Sequence, residues 1–377
     1  MSDETPDIRI PADLVPRDGR FGSGPSKVRT EAVEALARAA DGYLGTSHRQ
    51  ASVRFQVAAL RNGLSELLAL PDGYEILLGN GGTTLFWDAA AFGLIERRSQ
   101  HLSFGEFSAK FAAAVQAAPH LAGPEVIESP AGTHPDPLGR DDIDLYALTQ
   151  NETSTGVMMP VTRPSGASAD ALVAVDATSG VGGLRFDPAE ADVYYFAPQK
   201  GLAADGGLWL AACSPRCLAR IERIAASHRW IPASLDLKIA LDNSRKDQTY
   251  NTPALATIFL AVQQVEWINS NGGLDWSAAR CDRSAEILYG WADKADFAAP
   301  FVAEPADRSH VVATIDFDGS LDALTLAAVL RANAIVDTEP YRKLGRNQLR
   351  IAMFPAIDPA DIEALTHCID YVIDRLA

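Results

Sequence analysis

Four short apolar runs constrain this chain more than any other feature: residues 144–149 (DLYALT), 171–176 (ALVAVD), 192–197 (DVYYFA) and 207–212 (GLWLAA). Each is bounded by turn-forming residues and is apolar throughout instead of alternating, as strands buried on both faces are. Helical patterns separate several of these runs and the earlier one at 74–78 (YEILL), notably over 85–96 and 106–118. Alternation of this kind predicts a mostly parallel sheet with helices on both faces.

The rest of the chain fits around that sheet. Residues 1–20 read as an irregular arm with Pro6, Pro11 and Pro16, followed by helical patterns at 28–40 and 51–70. A helix over 254–268 ends at Asn271-Gly272-Gly273. Beyond it come helices at 275–294, 321–332 and 359–376 and strands near 310–316 and 348–353, an α+β unit with its own periodicity. The expected division is an arm and large domain over 1–268 and a small domain over 269–377. At 377 residues the chain is long enough for both, since single cores stop growing near about 250–300 residues.

The formal charge of −16 makes nucleic acid and anionic membranes poor partners. No run of about 18 apolar residues predicts a membrane span, and the acidic MSDETPDIRI does not read as a secretory signal. Cys213, Cys217, Cys281 and Cys368 are expected to be reduced structural thiols in a cytoplasmic protein. The histidines at 101, 120, 134, 228, 310 and 367 have no metal-ligand spacing, so no metal is expected, and no Gly-x-Ser-x-Gly elbow is present. The tryptophans (87, 209, 230, 267, 276 and 291) read as core or dimer-interface residues.

In an open α/β sheet, ligands bind beyond the carboxyl ends of the strands. Gly79-Asn80-Gly81-Gly82-Thr83-Thr84 follows the strand at 74–78 and opens a helix; the same residues suit a phosphate cradle or a plain turn. Asp176 ends one buried strand, where a carboxylate needs a partner such as a protonated pyridine nitrogen, or caps the next element. Lys200, in Ala197-Pro198-Gln199-Lys200-Gly201, follows the next strand and could condense with an aldehyde. A lone lysine is ordinarily a solvated charge; its order after a glycine loop and an acid, each at a strand end, is what singles it out.

These segments resemble the fold-type I pyridoxal-phosphate enzymes, and in detail the phosphoserine aminotransferase family within class V. The resemblance rests on Phe21-Gly22-Ser23-Gly24-Pro25-Ser26, Thr46-Ser47-His48-Arg49, Asn151-Glu152-Thr153, Asp176-Ala177-Thr178-Ser179, Pro198-Gln199-Lys200, Tyr250-Asn251-Thr252-Pro253 and Arg350-Ile351-Ala352, in family order. It implies an α/β fold-type I transferase with pyridoxal 5′-phosphate as cofactor. Lys200 would hold the cofactor as an internal aldimine and shuttle the proton. Asp176 would face the ring nitrogen, Phe107 would stack on the ring, and Thr153 would donate to the ring hydroxyl oxygen. Gly82, Thr83 and Gln199 would hold the cofactor phosphate, joined by Asn251 and Thr252 from the partner subunit of a homodimer. Arg350 would grip the substrate α-carboxylate, and His48 and Arg49 the second acidic group.

The chain departs from the family pattern in two places. Thr83 stands where an arginine is usual, and Tyr341-Arg342-Lys343-Leu344-Gly345-Arg346 replaces a Gly-His-Arg. The roles of Arg342, Lys343 and Arg346 are therefore left open. The implied reaction moves the amino group of glutamate to 3-phosphohydroxypyruvate, giving O-phosphoserine and 2-oxoglutarate in serine biosynthesis. The alternatives are a serine- or alanine–glyoxylate aminotransferase, a cysteine desulfurase, and a non-catalytic protein that keeps the cofactor fold.

Overall fold

The computed structural model describes residues 5–376; the first four residues of the arm lie outside it. A seven-stranded sheet forms its centre, made of β1 (Glu75–Gly81), β2 (Ser99–Ser103), β3 (Glu125–Glu128), β4 (Leu145–Thr149), β7 (Leu172–Asp176), β8 (Val193–Phe196) and β9 (Gly207–Cys213). The strand order is β1-β9-β8-β7-β4-β2-β3. Neighbours from β8 through to β3 pair in parallel, whereas β9 is antiparallel to both β8 and β1. Two reversals cancel, so β1 runs with the parallel set and its carboxyl end reaches the same edge. The short β5 (Asn151–Glu152) and β6 (Val157–Met158) form a separate ribbon just beyond β4.

Side-chain alternation explains why the central strands are apolar throughout. Tyr146, Val173, Val175, Tyr194 and Phe196 enter one core, which α2 (Ala51–Leu67) and α7 (Leu255–Ser270) cover with Leu60, Leu64, Ile258 and Val262. Leu145, Ala147, Leu172, Val193 and Tyr195 enter a second core under α3 (Thr83–Gly93), α4 (Glu106–Gln116), α5 (Pro215–Ala226) and α6 (Leu237–Ser244). Successive residues of a strand face opposite sides, so two covered faces demand apolar residues at every position.

A third core gathers α8 (Gly273–Ala292), α9 (Ala323–Ala332), α10 (Pro359–Leu376) and the antiparallel sheet β10 (Ala298–Pro300), β11 (Val312–Phe317) and β12 (Gln348–Ala352). The arm lies along this core: Ile10 and Phe21 are buried in it, and the Phe21 carbonyl accepts from the Ala352 amide at 3.0 Å. α1 (Thr30–Tyr43) packs against α7.

Strands β2 and β3 and helices α5 and α6 have no counterpart in the sequence reading. β2 is SQHLS, too polar to read as a core strand, yet Ser99, Gln100 and His101 are buried. Each finds a local partner: Ser99 Oγ lies 2.9 Å from His101 Nε2, and Gln100 Nε2 donates to Glu125 at 2.6 Å and to the Leu138 carbonyl at 2.8 Å. Paired polar groups can be buried without the cost that isolated ones carry. The glycine loop is also shorter than the expected turn, because β1 continues through Gly81. A side chain on Gly79 would fall 2.4 Å from the Trp209 ring on β9.

Among the described residues, no helix is long and apolar enough to cross a membrane, and the four cysteines are free and buried. Close packing also governs the turn that carries Lys200. A Cβ built on Gly201 would lie 2.1 Å from the Val181 carbonyl oxygen, a backbone atom that cannot swing away. Gly201→Ala is expected to cost about 1–3 kcal/mol, read as a lower urea midpoint at unchanged slope.

Candidate active site

The carboxyl ends of β1, β2, β4, β7 and β8 meet at one cavity of about 330 Å³. Gly82, Thr83 and Thr84 line it after β1, and Phe107 projects from α4, which follows β2. Asn151 and Thr153 follow β4, Asp176 ends β7, and Gln199 and Lys200 follow β8. Arg350 and Tyr341 close it from the third core's side, and Ser23, Gly24 and Pro25 from the arm. Of the residues singled out in the sequence, Gly82, Thr83, Phe107, Thr153, Asp176, Gln199, Lys200 and Arg350 all line this one space.

Lys200 is 7% exposed, and its Nζ donates to Thr153 Oγ1 at 2.7 Å while sitting 5.0 Å from the centre of the Phe107 ring. Burial drives its pKa down from the ordinary lysine value to about 8, and Arg350 adds to the fall; Asp176 and Glu152 oppose it. Asp176 is pushed the other way, up from the usual carboxylate value, chiefly by burial. The Thr178 amide at 2.9 Å and Trp87 Nε1 at 3.3 Å partly offset this by donating to its two oxygens. A buried carboxylate that still lacks a cation is suited to a ligand that supplies one.

Several lining residues hold polar atoms with no partner among the described residues: Ser23 Oγ, Asn151 Oδ1, Gln199 Oε1 and Arg350 Nε are all buried and unbonded. Desolvated groups of this kind mark a space built for a polar ligand. The cavity wall at Gly82–Thr84 is the start of α3, which no side chain caps. First-turn amides and the helix dipole suit a phosphate there. Arg350 is drawn below the ordinary arginine value by burial, and lies 5.2 Å from the Tyr341 ring centre with one contact of 3.4 Å to the Thr153 carbonyl. A guanidinium so placed has donors free for a carboxylate.

His48, Arg49, Asn251 and Thr252 do not line this cavity. His48 Nδ1 and Thr252 Oγ1 are 3.2 Å apart, and Asn80 Nδ2 donates to the Thr252 carbonyl at 3.0 Å and to Asn251 Oδ1. His48, Thr252, Asn251 and Asn80 thus form a separate group beside the last residues of β1, with Arg49 next to His48 in the chain. Of the three basic residues left open by the sequence, Arg346 pairs with Asp316 at 3.1 Å and Lys343 pairs with Glu106 at the start of α4. Arg342 is exposed and has no ion pair among the described residues.

Glu152, Ser179 and Trp87 were not assigned site roles in the sequence. Glu152 is fully buried and accepts five hydrogen bonds. Its Oε2 takes the Phe107 amide at 3.1 Å, the Ser108 amide at 2.9 Å and Ser108 Oγ at 3.0 Å, thereby capping α4. Its Oε1 takes the Ser154 amide and hydroxyl at 3.1 and 2.7 Å. The carboxylate thus ties the loop holding Thr153 to the helix holding Phe107. Trp87, expected in a core or an interface, is buried but also lines the cavity and donates to Asp176. The Asn151-Glu152-Thr153 motif was the available signal for Glu152; Trp87 sits one helical turn after Thr83, and only the fold turns it to Asp176.

A lysine and a carboxylate at successive strand ends, facing one cavity with a helix N-terminus on its wall, define a class of group-transfer enzyme built on an α/β sheet. The chain belongs to the aminotransferase class-V family, whose profile matches residues 21–338. A phosphoserine aminotransferase from a Nocardioides species is 60% identical over 370 residues, covering 98% of this chain and 99% of that protein. The crystal structure of a phosphoserine aminotransferase from Cytophaga hutchinsonii superposes with a TM-score of 0.86 at 23% identity, over 93% of this chain and 97% of that one. An aspartate aminotransferase from Thermus thermophilus superposes at 0.81 with 22% identity, over 95% and 99%. The fold alone therefore does not choose the amino acid.

The lowered pKa of Lys200 sets a pH dependence. Neutral amine accumulates as pH rises through about 8, well below the ordinary lysine value of 10.5. Trapping Lys200 with a small aldehyde and borohydride, followed by mass spectrometry, is expected to give a rate midpoint near pH 8. Asp176→Asn removes a charge that holds the pKa up, so its midpoint is expected at lower pH.

Proposed function

We propose that this chain is a cytoplasmic, homodimeric pyridoxal-phosphate aminotransferase that moves an amino group from glutamate to 3-phosphohydroxypyruvate, forming O-phosphoserine. The observation that carries the reading is the pair of buried groups, Lys200 and Asp176, facing one cavity: an amine shifted toward neutrality and a carboxylate without a cation. Those two groups match the aldehyde and the protonated ring nitrogen of pyridoxal phosphate. The unbonded Gln199 and Ser23 atoms and the open start of α3 match its need for polar contacts. The choice of a phosphorylated substrate leans on the Nocardioides relative, similar over nearly the whole chain.

When bound, the cofactor supplies an electron sink for the bond broken at the substrate α-carbon. The chain's own residues do the rest. Lys200 would hold the cofactor and would move the proton at the substrate α-carbon as general base and acid. Asp176 would keep the ring nitrogen protonated, with Trp87 and the Thr178 amide fixing its carboxylate. Phe107 covers the ring face, and Arg350 grips the α-carboxylate with its free donors. The arm and large domain, residues 1–268, bind the cofactor, and the small domain, 269–377, brings Arg350.

His48, Arg49, Asn251 and Thr252 complete the site of the partner subunit, His48 and Arg49 taking the second acidic group of the substrate and the other two the cofactor phosphate. Their grouping away from this chain's own cavity favours that arrangement.

Three experiments test the reading. Visible spectra of the holoprotein are expected to lose their yellow band with L-glutamate and with O-phospho-L-serine, but not with L-serine or L-alanine. Bleaching by serine or alanine alone would move the assignment to a glyoxylate-type enzyme, and a turnover loss smaller than about a hundredfold in Lys200→Ala would remove the lysine's role. Mixing inactive Lys200→Ala with inactive Arg49→Ala and refolding them together is expected to restore part of the activity, because hybrid dimers contain one intact site. No recovery would overturn the shared site.

A further inference from the structure

Lys200 must act as a nucleophile toward the cofactor aldehyde, and its one hydrogen-bonding neighbour among the described residues is a hydroxyl, a group that can either accept or donate. Which it does decides whether the amine lone pair is free. A threonine that donates to Nζ would occupy that lone pair; one that accepts from it would leave it exposed to the cavity.

The surrounding groups settle the direction by proton count. Ser179 Oγ has three neighbours: the Asn151 carbonyl oxygen at 2.9 Å, Asn151 Nδ2 at 2.9 Å and Thr153 Oγ1 at 2.9 Å. A carbonyl can only accept, so the single Ser179 proton goes to it, and the Asn151 amide donates to Ser179. With its own proton committed, Ser179 can only accept from Thr153. The Thr153 proton therefore points at Ser179, and Thr153 Oγ1 has only lone pairs left for Lys200 Nζ; in this arrangement it has no proton for a ring hydroxyl oxygen, the role the resemblance implied for it. Ser179, Thr153 and Asn151 are 2%, 3% and 3% exposed, so water offers no ready substitute.

We propose that Ser179 is a positioning residue for Lys200: by taking the Thr153 proton it holds Thr153 as an acceptor, and so keeps the lysine lone pair free. The inference rests on the cofactor reading above. In the step it serves, the amine nitrogen forms a bond to the aldehyde carbon, and the two amine protons leave with the aldehyde oxygen as water. The amine can donate one N–H to Thr153 throughout the attack, which orients the lone pair without consuming it. The Asn151-Glu152-Thr153 and Asp176-Ala177-Thr178-Ser179 segments, far apart in sequence, thus meet in one hydrogen-bonded unit whose output is the state of Lys200.

The test uses the whole chain freed of cofactor and mixed with excess pyridoxal phosphate, the rise of yellow absorbance giving the rate of covalent attachment. Ser179→Ala releases the Thr153 proton to the lysine lone pair, and its attachment rate is expected to fall about fivefold, the size of one hydrogen bond. Thr153→Val removes the hydroxyl through which Ser179 acts, so the double variant is expected to be no slower than Thr153→Val alone. Equal slowing by Ser179→Ala in both backgrounds, or no slowing in the first, would overturn the proposal. Urea unfolding of each variant identifies any that fail to fold, and the cycle is then run with Ser179→Gly. A wild-type protein that never turns yellow would remove the cofactor reading and this inference with it. If the wild type colours and only the cycle fails, the cofactor reading stands alone.

Discussion

Burying an amine and a carboxylate beside the same cavity is the constraint on which the rest of this structure depends. Neither group tolerates burial well while charged, and both respond as expected: Lys200 shifts down and Asp176 shifts up. Such a pair persists only where the surroundings meet its residual needs. Thr153 accepts from the amine, and Trp87 and the Thr178 amide donate to the carboxylate. The unsatisfied remainder is what a ligand would complete, which is why the strain of burial is itself a description of the site.

Holding those two groups in place requires a stiff frame, and the sheet provides it. Thr149 on β4 is in register with Asp176 on β7, and Asp176 in turn with Tyr195 on β8. The Asp176 carboxylate and the loops carrying Thr153 and Lys200 therefore leave adjacent strands at one level. Glu152 extends this rigidity sideways, since one carboxylate caps α4 and anchors the Thr153 loop together. A charged cap with five donors is worth more than a neutral one and resists displacement of Phe107. The arm and β12 close the cavity from outside the large sheet, so Arg350 comes from a separately packed core.

Much of this was legible in the chain. The double-faced apolar runs announced buried strands, because burial on both sides removes the polar half of the alternation. Asp176 and Lys200 stood out because each follows such a run. Strand β2 was not legible: Ser99 pairs with His101 Nε2, and Gln100 with Glu125 and Leu138, 25 and 38 positions away, contacts that no local pattern encodes. Nor was Trp87, whose indole looks like any core residue until α3 is laid on the sheet and the indole reaches Asp176. The glycine segment was read as a turn, but Gly79 to Gly81 stay in the strand; Gly79 is small because Trp209 packs over it.

The sequence by itself determined which side chains stand at the strand ends and in what order, since strand periodicity and turn chemistry act over a few residues. Only the tertiary structure decided what those side chains do to one another. It lowered the Lys200 pKa through burial, turned the Thr153 proton toward Ser179, and joined Glu152 to α4. It also separated His48, Arg49, Asn251 and Thr252 from the cavity that holds the remaining eight residues. Desolvation and hydrogen-bond direction depend on every neighbour in space, and neighbours that lie 20 to 200 positions apart leave no mark on local sequence.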